Sequence, residues 1–200
     1  PHPREYFTPA QAPARLASLR DKLLLLAAAG VDNTRIIRFN KRFAALTAEA
    51  FIEKVLVDSL LALGATKAFG VPGESYLAVL DALHDTKDRL DFVNCRNEGG
   101  AAFMAAAWGK LTGQPGICMV TRGPGVTNAS IGVHTAMQDS APMILFVGQV
   151  GTDMKGREAF QEIDYRAVFG TMAKWAVEID DVGRIPEILA RAWTTALTGR

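Results

Sequence analysis

From residue 47 onward, apolar and polar positions fall into blocks of two periods. Phe51, Val55, Leu56, Leu60 and Leu63 recur at helical spacing. Thr47 stands where a cap belongs, and Gly64 where a helix closes in the left-handed conformation. Short apolar runs follow at KAFGV (67–71), DFVN (91–94), GICMVT (116–121), MILFVG (143–148) and KWAVEI (174–179). Helical patterns fill the intervals at 75–85, 98–112, 126–138 and 158–169, and a last helix fits 182–198. Strand then helix, repeated, predicts parallel strands joined by right-handed crossovers. The expected fold is α/β, an open, doubly wound parallel sheet with helices on both faces. Ligands of such sheets sit beyond the carboxyl ends of the strands. The loops expected there are VPGES (71–75), CRNEGG (95–100), RGPGVTN (122–128) and GQVGTD (148–153).

The first 46 residues are of another kind. They carry Pro1, Pro3, Pro9 and Pro13, a short helical pattern near 14–29 and the basic stretch RIIRFNKRF. Eight Lys or Arg stand against three Asp or Glu, so this segment is +5 while the remainder is −4. It reads as a basic, partly disordered extension preceding a domain over 47–200. The chain opens on Pro1 and stops at TALTGR, and both ends read as cut.

Composition narrows the classes. The chain is 49% hydrophobic and 22% charged with a net charge of +1, which suits a globular domain and offers no field for nucleic acid or an anionic membrane. Cys95 and Cys118 are too few for a disulfide framework and too far apart for a metal site, which suggests a reducing cytoplasm and assigns no metal ligand. The apolar run LLLLAAAG (23–30) is shorter than the roughly 20 residues of a membrane span, and the stretch before it is too long for an ordinary signal peptide.

Taken singly, each loop has a plain structural reading. VPGES is a Pro-Gly turn in which Ser75 or Glu74 caps the next helix. RGPGVTN could cradle an anion, but it lacks the third glycine of a dinucleotide fingerprint. Glu98 is favoured at a helix start by about 0.3–1 kcal/mol through the helix dipole. His134, on an apolar helix face, is expected to pack in the core. Cys118 and Met119 are core residues, and Cys95 is incidental.

Together the loops say more. GATKAFGVPG (64–73), RNEGGAAFMAAAWGKLTGQPGICMVTRGPGVTN (96–128), DSAPMILFVGQV (139–150) and GREAFQEID (156–164) stand in order and at fixed spacing. From Thr47 to Arg200 the chain closely resembles the N-terminal, pyrimidine-binding domain of thiamine-diphosphate enzymes of the acetolactate synthase and pyruvate decarboxylase type. The resemblance implies a transferase or lyase that decarboxylates a 2-oxo acid and ligates the resulting carbanion to an acceptor.

The resemblance also implies roles. Glu98 would hydrogen-bond N1′ of the aminopyrimidine as the proton relay, raised in proton affinity by an apolar pocket. Gly99, Gly100, Ala101 and Ala102 would leave room for the ring. Pro72, Gly73, Thr121 and Asn128 are implied to bind the cofactor with Glu98, and Phe160 and Gln161 to line the substrate. Glu74 is a second catalytic candidate and a departure, since synthases usually carry a small residue there while decarboxylases place an acid. Arg122, where synthases commonly have serine, is another. The family holds diphosphate and Mg²⁺ through a GDG…N motif on a separate domain of the partner subunit, and no such motif occurs in this sequence. The chain is thus expected to supply half a site of a homodimer or homotetramer and not to turn over alone; FAD would involve a middle domain. A non-ligating decarboxylase and a nucleotide-binding or interaction module are the alternatives.

Overall fold

The computed structural model describes residues 18–31, 34 and 48–199, the side chains within 48–53 excepted. Most of the basic extension and the Thr47 cap lie outside the described residues. The chain divides into two compact units, 1–51 and 52–200. In the first, α1 (Leu19–Ala28) forms because Ser18 and Asp21 close a capping box, the Ser18 hydroxyl accepting from the Asp21 N–H at 3.1 Å.

The second unit takes in most of α2 (Ala48–Ala62), which Gly64 follows at φ 93°, as the sequence predicts. Its strands are β1 (Lys67–Gly70), β2 (Asp91–Asn94), β3 (Gly116–Val120) and β4 (Met143–Val147). They form one parallel sheet in the order β2-β1-β3-β4. A 3₁₀ turn (Glu74–Tyr76) and α3 (Leu77–Asp85) link β1 to β2; α4 (Glu98–Thr112) links β2 to β3, and α5 (Gly123–Gln138) links β3 to β4. Beyond β4 come α6 (Tyr165–Phe169), a 3₁₀ turn (Val182–Arg184) and α7 (Ile185–Leu197).

Every residue of β3 is buried. Successive side chains of a strand point to opposite faces, so both faces of the sheet are covered at its centre. On one face Phe69, Cys118 and Val120 pack with Ala101, Ala102 and Ala105 of α4 and with Val126, Ala129 and Val133 of α5. Ala68, Ile117 and Met119 alternate with them and are buried on the other face. These observations give the expected α/β fold with a parallel sheet flanked by helices. Among the described residues no helix is long and apolar enough to cross a membrane.

Three expectations are corrected. KWAVEI forms no strand: Lys174 donates to the Thr195 and Thr198 carbonyls and Trp175 lies under Arg191, with 4.5 Å from guanidinium to ring, so the stretch is held by α7 instead of β4. The helix expected over 158–169 is confined to α6. Before it, Glu158 and Gln161 adopt φ values of 52° and 64°, which no helix continues. His134 is exposed and does not pack in the core.

Burial pushes the Cys118 thiol up from 9.0 to about 12. While folded, Cys118 should therefore resist Ellman's reagent at pH 8, whereas half-buried Cys95 reacts first. Between pH 9 and 12 the native state retains a proton that the unfolded thiol releases, so this contribution to stability is present below pH 9 and lost as pH rises towards 12. Urea midpoints should fall across that window, and fall less in Cys118→Ala.

Candidate active site

The strand order contains a switch. After β1 the chain steps to β2 on one side and then crosses to β3 on the other, so the loops after β1 and β3 leave neighbouring strands in opposite directions. A crevice at the carboxyl ends follows from that reversal. Gly73, in the loop after β1, lies against Thr121, the first residue after β3: a Cβ on Gly73 would stand 2.6 Å from Thr121 Cβ. Ser75 Oγ and Thr121 Oγ1 share a hydrogen bond of 2.8 Å across the same gap.

Glu98 arrives from β2. Asn97 caps α4, its side chain accepting from the Gly100 N–H at 3.1 Å, and this places Glu98 in the first turn. Asn128 of α5 donates to Glu98 Oε2 at 3.0 Å, while Oε1 has no hydrogen bond among the described residues. Gly125 separates this carboxylate from Thr121; a Cβ there would meet Thr121 Cγ2 at 2.8 Å and Glu98 Oε1 at 3.4 Å. Two glycines thus keep backbone bare around one threonine, beside a carboxylate with one oriented and one free oxygen.

A second cluster adjoins it. Arg122 forms an ion pair with Glu74, and its guanidinium lies 5.8 Å from the Phe160 ring centroid. The Gln161 carbonyl accepts the Gly123 N–H at 3.0 Å. Glu162 folds this loop by accepting from the amides of Gly156 at 2.6 Å and Ala159 at 3.1 Å, and these two hydrogen bonds hold its carboxyl below the ordinary range.

The structure therefore gathers Gly73, Glu74, Glu98, Thr121, Asn128, Phe160 and Gln161 at one sheet edge; Pro72 is exposed and joins them only as the neighbour of Gly73. Several particulars differ from expectation. Neither Glu74 nor Ser75 caps a helix: the 3₁₀ turn and α3 both lack a side-chain cap, because these groups reach Arg122 and Thr121 instead. Within this domain Glu98 is half-buried and has a polar neighbour in Asn128. Gly99 is occupied by α5, its Cβ position lying 3.2 Å from the Asn128 carbonyl oxygen, and Ala102 backs onto Gly132. Those small residues let two helices approach, and of the four only Gly100 faces open space. Arg122 and Ser75 were absent from the expected site set; the departure of Arg122 from the family's serine was the available signal.

A family model described as "Thiamine pyrophosphate enzyme, N-terminal TPP binding domain" matches residues 52–168. The chain belongs to this family. The TPP-binding domain is also similar to curated relatives. It is 36% identical over 159 residues to the mitochondrial catalytic subunit of acetolactate synthase from Aspergillus candidus, covering 78% of this chain and 23% of that protein. It is 38% identical over 147 residues to acetolactate synthase of Bacillus subtilis and to the large subunit of isozyme 3 of Escherichia coli, each match covering 74% of this chain and 25% of the relative. The chain thus spans about a quarter of the length of these relatives. A model described as FAD synthetase matches residues 1–95. Over 52–95 the two matches overlap, and there β1 pairs in register with β3, so this stretch folds as part of the TPP-binding domain.

Acidification should loosen the loop that carries Phe160 and Gln161. The lowered Glu162 carboxyl favours the ordered loop above its ordinary value of 4.5, and this is lost as pH falls below it. Protection factors at the Gly156 and Ala159 amides, taken relative to intrinsic exchange at each pH, should drop on acidification in the wild type, and in Glu162→Gln should be low throughout and lose that pH dependence.

Proposed function

We propose that the full-length protein carrying this domain is a thiamine-diphosphate-dependent enzyme, transferase or lyase in class, that decarboxylates a 2-oxo acid and ligates the product to an acceptor, as an acetolactate synthase does. The relatives' names support the reaction class. The observation that carries the reading is the Glu98 carboxylate, with Oε2 fixed by Asn128 and Oε1 open beside Gly125.

The residues fit the pyrimidine half of the cofactor. A flat ring needs close backbone approach, which Gly73 and Gly125 provide, and a ring nitrogen needs an oriented carboxyl with which to share a proton, which Glu98 Oε1 provides. The cofactor, when bound, supplies the electron sink for loss of carbon dioxide. Glu98 holds and returns a proton at that oxygen, and Asn128 fixes its rotamer. Thr121, tied to Ser75, forms the floor between the loops. Phe160 and Gln161 line the substrate side, next to Glu74.

The other half of the site is assigned to a diphosphate-binding domain with Mg²⁺, contributed by a partner subunit of a homodimer or homotetramer. Among the described residues no three His, Cys, Asp or Glu side chains gather as a metal site. Flavin binding is assigned to neither half.

Glu98→Gln should lower cofactor-dependent turnover of a 2-oxo acid by about 10²- to 10⁴-fold in the full-length protein, with its thermal midpoint little changed. Acetolactate, and not acetaldehyde, should be the main product from pyruvate. Unchanged turnover in this variant would remove the proton relay.

A further inference from the structure

Arg122 stands immediately after Thr121 at the carboxyl edge of β3, one residue before α5. Only 13% of its side chain is exposed, yet its Nε is buried without a hydrogen-bond partner among the described residues. A guanidinium presents five donors in a planar fork, and a buried donor left unused is costly. The partner it does have is Glu74, whose side chain is 66% exposed on the short 3₁₀ turn across the crevice. The ring of Phe160, itself 71% exposed and on the loop that also carries Gln161, has its centroid 5.8 Å from the guanidinium. A nearly buried cation therefore holds an exposed carboxylate at the mouth of the site, with further donor capacity unspent. A purely structural ion pair would not need the cation buried and the anion in water, since exposed pairs contribute little.

We infer that Arg122 is a specificity-determining residue that receives the carboxylate of a 2-oxo acid at this edge, and that the Glu74 carboxylate is an internal stand-in which the substrate carboxylate displaces. This rests on the 2-oxo acid reading above and deepens it. The fork geometry suits a carboxylate bidentately, which a lysine at the same position could not reproduce. Glu74, released, swings towards water from an already exposed turn, so displacement disturbs no core contact.

Oxamate, an unreactive isostere of a short 2-oxo acid, provides the probe, titrated by calorimetry into the full-length protein with thiamine diphosphate and Mg²⁺. Arg122→Gln should weaken oxamate by roughly 10- to 100-fold, the loss of a charge-assisted hydrogen bond, and Arg122→Lys should recover only part of it. Glu74→Gln should tighten oxamate by about 2- to 5-fold, because it removes the competitor from a half-exposed pair. That gain does not depend on how well the Arg122 variants fold, and a merely structural pair would not produce it. Equal affinity in wild type, Arg122→Gln and Glu74→Gln, or no binding by wild type, would overturn the assignment. Failure of the thiamine reading shows separately, as turnover that Glu98→Gln leaves untouched, while the oxamate comparison still decides the role of Arg122.

Discussion

The parallel pairing of β1 with β3, two strands that are not consecutive in the chain, is the constraint on which the site depends. It brings Gly70 opposite Met119 and so sets the loops that follow each strand side by side. Gly73 can then press against Thr121 only because it has no Cβ, and Ser75 can reach the Thr121 hydroxyl at 2.8 Å. α4 packs on the same strands through Ala101, Ala102 and Ala105, and its capped first turn delivers Glu98 to the same edge. A side chain at Gly73 or Gly125 would push the loops apart before any ligand arrived.

Two carboxylates share this edge and have been given different partners. Glu98 is held by a neutral amide that orients one oxygen without neutralising the charge. Glu74 is held by a cation whose side chain is largely buried and lies beside the Phe160 ring. The first arrangement suits exchange of a proton with a ring nitrogen, since one acceptor position stays open. The second suits exchange of one anion for another, since the cation remains when its partner leaves.

Most of the sheet was legible in the sequence because β3 is a continuous apolar run and strand-like and helical patterns alternate regularly on either side of it. Lys174 and Trp175 misled because an apolar stretch beside a strand pattern can be claimed by a helix surface as well as by a sheet edge, and contacts with α7 decide which. The 158–169 region misled because Glu162 folds it through backbone amides that no side-chain periodicity reveals. The positions of Glu98 and Asn128 thirty residues apart were readable as motif members, but their hydrogen bond follows from the packing of α4 on α5. The reach of Glu74 to Arg122 across the switch point was invisible, because only the strand order sets those two loops face to face.

The most direct test of the account is a crystal structure of the full-length protein with thiamine diphosphate bound. The account predicts the aminopyrimidine at the carboxyl edge of β1 and β3, with N1′ within about 2.6–3.2 Å of Glu98 Oε1 and Asn128 still on Oε2. A pyrimidine bound elsewhere, or one in this crevice whose N1′ makes no hydrogen bond to Glu98, would contradict it.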